Sequence, residues 1–171
     1  MKPRIFISAV MAVAAFILAG LAVAGSHTRN FRASLDSYHE TSQSLSTTGT
    51  GSFRARLNHA GDQLTYELQY SELEGGNVLF AHVHIGQKGT TGGVMFFLCG
   101  GGGQAACPNG EGTVTGTVTA ANIIGPNGQG VAPGEFDEAI EAMRAGSAYA
   151  NLHTTVYPSG EIRGQINEEQ F

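Results

Sequence analysis

From Phe31 onward, apolar and polar residues alternate with a period of two, the pattern of a strand with one buried face. "FRASL" places Phe31, Ala33 and Leu35 on one side, and "FRARL" repeats this with Phe53, Ala55 and Leu57. "LTYELQY" sets Leu64, Tyr66, Leu68 and Tyr70 against polar partners, and "NHAGD" before it reads as a hairpin turn. "VLFAHVHI", "VMFFL", "GTVTGTV", "YANLHT" and "EIRGQI" complete a set of about eight strands, with "YPSG" turning between the last two.

One segment has a different period. In "EFDEAIEAMRAG", Phe136, Ile140 and Met143 recur at helical spacing. Glu135, Asp137 and Glu138 occupy the first turn, where the helix dipole favours anions. Arg144 lies near the end, and Gly146 suits the position just beyond it. The pattern predicts an all-β fold, an antiparallel Greek-key sandwich or barrel with one short amphipathic helix. Two long polar stretches, "DSYHETSQSLSTTGTG" and "TAANIIGPNGQGVAPG", read as loops within one domain.

Residues 1–24 stand outside that pattern. Lys2 and Arg4 precede an apolar run from Ile5 to Val23, and Ala22-Val23-Ala24 fits a signal-peptidase site. The segment reads as a secretory signal peptide, with a retained anchor helix as the alternative. The expected domain spans 31–166, with tails at 25–30 and 167–171. Removing the signal takes away two of nine Lys+Arg and none of fourteen Asp+Glu, so the remaining charge is 7 − 14 = −7. That acidity argues against nucleic acid or anionic membrane as partner. A secreted or periplasmic location makes a disulfide the expected state of Cys99 and Cys107.

Candidate chemistry gathers on one face. His82 and His84 share a side of their strand, and Ala81, Val83 and Ile85 share the other. The same parity puts Tyr149, Asn151 and His153 outward from Ala150 and Leu152. It also puts Glu161, Arg163 and Gln165 outward from Ile162 and Ile166. If these strands are neighbours, His82, His84 and His153 offer three imidazoles to one metal ion with a position left open. The alternative is solvated or hydrogen-bonded histidines that stiffen the sheet. Arg163, Glu161 and Asn151 are candidates to support that site or contact a substrate. For Glu161 and Arg163, a salt bridge is the structural alternative.

"AHVHIGQKGTTGGV", "FLC", "GTVTGTV", "AGSAYANLHTTVYPSGEIRGQI" and "FRASL" together resemble the CHRD domain, named after chordin. The resemblance covers about Phe31 to Ile166 and implies an extracytoplasmic β-sandwich without a settled activity. A weaker likeness, in "HVH", the later strand histidine and the following arginine, is to Cu,Zn superoxide dismutase. It implies His82, His84 and His153 as copper ligands and Arg163 as a substrate-guiding residue. The chain has no candidate for the bridging histidine in the right region, and no His/His/Asp zinc loop follows His84. These departures speak against a zinc-bridged centre and leave a mononuclear copper site, with copper ahead of zinc.

The other histidines carry less. His59 lies in the hairpin turn and His39 in the polar loop, both expected in solvent. His27 is different: cleavage after Ala24 would start the chain Gly-Ser-His, a donor set that suits Cu(II) or Ni(II). "TTGGV" and "CGGGGQ" lack the Lys-Ser/Thr of a phosphate loop, and no G-x-S-x-G elbow occurs. No catalytic set is assigned, and the balance lies against an enzyme. The expectation is an exported metal-binding domain. The alternatives are an extracellular protein-binding module and a minimal copper oxidoreductase.

Overall fold

The computed structural model describes residues 29–169. Nine strands, β1 (Asn30–Asp36), β2 (Thr50–Leu57), β3 (Leu64–Ser71), β4 (Val78–Ile85), β5 (Val94–Cys99), β6 (Gly112–Val118), β7 (Ala148–Thr154), β8 (Ile162–Gln165) and β9 (Asn167–Glu168), surround one core. Among the described residues one α-helix, α1 (Phe136–Arg144), lies between β6 and β7. The spatial order is β5-β4-β7-β8-β1-β2-β3-β6, with β9 pairing β1, and every pairing is antiparallel. The ends of that path, β5 and β6, approach each other, so the sheet curls into a nearly closed barrel.

The alternation read from the sequence sets which side of each strand is buried. Phe31, Phe53, Leu68, Val83, Leu152 and Ile162 all point into the core. Closure depends on a close approach at Gly116, where a Cβ would run into the Tyr66 ring. The bare backbone lets Tyr66 donate a buried hydrogen bond of 2.7 Å to the Leu98 carbonyl, joining β3 to β5. In α1, Phe136, Ala139, Ile140 and Met143 are buried, and the helix packs on β4, β7 and β9. Gly146 ends it in the left-handed region, at φ 65°.

Asn167 and Glu168, beyond the expected domain, form β9 and pair with Arg32 and Phe31. Cys99 and Cys107 are disulfide-bonded and close the glycine-rich loop after β5. Among the described residues, no helix is long and apolar enough to cross a membrane. The signal segment and His27 lie outside the described residues.

Candidate metal centre

Strand register assembles the histidines. Across the outside of the barrel, Phe97, His82, Asn151, Arg163 and Asp36 pair in one row from β5 to β1. The neighbouring row pairs Val94, His84, Tyr149 and Gln165. On the other side, Phe80 pairs with His153. His153 is therefore a diagonal neighbour of His82, within reach of a long side chain. The ring centroids of His82 lie 4.4 Å from those of His84 and 4.6 Å from those of His153. One ring nitrogen from each of the three falls within 4.8 Å of the others, and the group contains no carboxylate or thiolate.

None of the three is solvated. His82, His84 and His153 are 4%, 9% and 6% exposed, although they point away from the core. Loops cover this part of the barrel, and side chains from the sheet hold the loops down. Arg163 donates from Nη1 to Thr41 Oγ1 at 2.6 Å, and from Nη2 to the carbonyls of Thr90 at 2.7 Å and Gln87 at 3.3 Å. Its guanidinium carbon sits 3.4 Å above the Tyr149 ring, and Tyr149 stacks on His84 at 4.6 Å. Arg163 thus ties both the 37–49 and the 86–93 segments over the site. Phe80 and Phe97 wall the other side, 4.7 Å from His153 and 5.2 Å from His82 respectively.

The hydrogen bonds fix two tautomers. His84 Nδ1 lies 2.8 Å from the Gly92 carbonyl, and His153 Nδ1 lies 2.9 Å from the Pro158 carbonyl. A carbonyl only accepts, so each Nδ1 carries the proton and each Nε2 presents its lone pair. Both Nε2 atoms are buried without a partner, and so is Nδ1 of His82. Metal-ligating histidines show this arrangement, with the far N–H held by a backbone carbonyl. Burial pushes His82 down to about 2, helped by the charges its two neighbours would carry. It pushes His84 down to about 4 and lowers His153. All three are neutral at pH 7, the form that ligates.

The supporting candidates divide. Asn151 donates from Nδ2 to Glu40 at 2.6 Å and to the Ile162 carbonyl at 3.0 Å. Glu161 is fully buried, but its carboxylate accepts the amides of Glu74 and Gly75 and the Thr154 hydroxyl. It anchors the turn after β3, a structural role distinct from a salt bridge to Arg163. His59 and His39 are exposed, and His39 Nδ1 pairs with Asp36 at 2.7 Å.

Three residues were missed from the sequence. Phe80 shares the parity of His82 and could have been read from it. Phe97 lies where β4 and β5 shift register, which hides the parity. Glu40 sits in the aperiodic polar segment, so nothing local marks it. Burial raises its carboxyl to about 7, against the opposing effects of the Asn151 bond and the Arg163 charge.

A family model described as the CHRD domain matches residues 31–166, which runs from β1 through β8 and includes all three histidines. The chain belongs to the CHRD domain family. No curated protein and no solved structure matches it. In this CHRD domain, therefore, the reading of the histidines rests on their own geometry.

Proposed function

We propose that this CHRD domain works outside the cytoplasm and binds one transition-metal ion, copper first, through His82, His84 and His153. The observation that carries the reading is the set of three buried ring nitrogens, one per histidine, that have no hydrogen-bond partner. Leaving a polar group buried and unpaired costs about 1–3 kcal/mol. A shared metal ion offsets that cost at all three at once. Two of the imidazoles are already held by backbone carbonyls in the tautomer that frees Nε2. Copper leads because the donors are all imidazole, a ligand that suits copper. The Cys99–Cys107 disulfide supports an oxidising compartment.

Elemental analysis of the protein isolated from its native compartment tests this, followed by titration of the metal-free protein. A His27→Ala background keeps a Gly-Ser-His terminus from contributing copper. One equivalent of copper per chain is expected. It should be lost in His153→Ala and kept in His59→Ala. A protein that arrives without metal and takes up none in titration overturns the reading. The histidines are then structural, and a protein-binding role takes its place.

A further inference from the structure

The donor set says more than that a metal binds. It contains three neutral imidazoles and no carboxylate or thiolate. No ligand anion therefore offsets the charge of the ion. The surroundings do not supply one cheaply either. The rings are buried, with Phe80 and Phe97 on one side and the Tyr149–Arg163 stack on the other. Behind His84, across the Tyr149 ring, stands the Arg163 guanidinium, which is positive and repels a cation. Moving an ion out of water costs energy that scales with the square of its charge, so a divalent ion pays roughly four times the penalty of a monovalent one.

Coordination number points the same way. Cu(II) favours a tetragonal set of four or more ligands, and Zn(II) takes four. This site offers three side-chain donors. A water as fourth ligand would need room and hydrogen-bond partners between aromatic rings. The buried Glu40 is engaged by Asn151 and does not belong to the histidine group.

We propose that the three-histidine site is a Cu(I) site: it takes monovalent copper in a three-nitrogen set and discriminates against Cu(II) and Zn(II). The inference rests on the metal-binding reading above and assigns the oxidation state of its ligand. The donor atoms are Nδ1 of His82 and Nε2 of His84 and His153, the buried nitrogen of each ring without a partner.

The test uses the full protein carrying His27→Ala, so that no Cu(II) is drawn to the N-terminus. Under anaerobic conditions with reductant, the protein competes for Cu(I) against a colorimetric Cu(I) chelator. In parallel, Cu(II) and Zn(II) are added to separate samples, with Cu(II) followed by electron paramagnetic resonance. One equivalent of Cu(I) should be retained at concentrations where neither divalent ion is held. The potential of the bound couple should lie positive of the aqueous one. Because Cu(I) is diamagnetic, the imidazole nitrogen resonances of the unmutated cluster can be followed directly, so no variant has to fold. Shifts confined to the three named nitrogens are expected. Equal or tighter retention of Cu(II) or Zn(II) overturns the Cu(I) assignment and leaves metal binding standing. Shifts at other ring nitrogens overturn the donor assignment. Retention of none of the three ions overturns the metal reading itself.

Discussion

The His82 ring lies against Phe80 and Phe97, with its Nδ1 buried and without a partner beyond its own residue. Such a nitrogen destabilises the metal-free fold, so its presence sets stability against function. Replacing it with an apolar side chain removes an unsatisfied group and leaves its neighbours intact. His82→Leu should therefore raise the stability of the metal-free protein by about 1 kcal/mol in urea unfolding, while copper binding disappears. A destabilised variant would mean that the imidazole has a structural partner. At this scale the sequence was informative about direction and silent about depth. Parity put His82, His84 and His153 on one side of their strands, because side chains alternate whatever surrounds them. Their depth owes to neighbours such as Phe80, Phe97 and Tyr149, and to the 37–49 segment that Arg163 ties down, which has no periodicity to read.

Elements divide into those that specify themselves and those that are specified by others. β2, β3 and β6 each carry their own alternation, and α1 carries its own spacing and end signals, so all four are legible. β9 has two residues and exists because β1 offers it an edge. The order of strands around the barrel is likewise a property of pairing, not of any one segment. The covering loops belong to the second kind, since a residue from β8 holds them down. A lysine at 163 keeps the charge but cannot match the planar fork that reaches Thr41, Gln87 and Thr90 together. Arg163→Lys should cost about 1–3 kcal/mol and speed amide exchange through 87–93. Unchanged exchange there would show that the loop is held by its other contacts.

For the molecule as a whole, the buried ionisable groups pull in opposite directions as pH changes. The three histidines have folded values below 6.5, to about 2 for His82 and about 4 for His84. In that range the unfolded chain binds more protons, so stability is present above pH 6.5 and is lost as pH falls. Glu40 has the opposite sign. Its folded value of about 7 lies above the ordinary 4.5, so its contribution is fullest below 4.5 and is lost as pH rises through 7. Between 4.5 and 6.5, three groups oppose one. The metal-free protein should be most stable near neutrality and melt at progressively lower temperature as it is acidified across that interval. In Glu40→Gln the decline should be steeper. Melting curves from pH 4.5 to 7 measure both, and a melting temperature that is flat or rises on acidification would contradict the assignment of three neutral imidazoles.

β9 brings the last strand beside the start of β1: the Glu169 amide donates to the Asn30 carbonyl at 3.0 Å. Entry and exit are therefore one hydrogen bond apart. A domain built this way needs no free end. A host polypeptide can enter at residue 30 and leave at 169 almost where it entered, as it would across a tight hairpin, with its own strands barely separated. Residues 30–169 spliced into a surface loop of a host protein should therefore leave both folds intact, which the melting curve of the fusion checks.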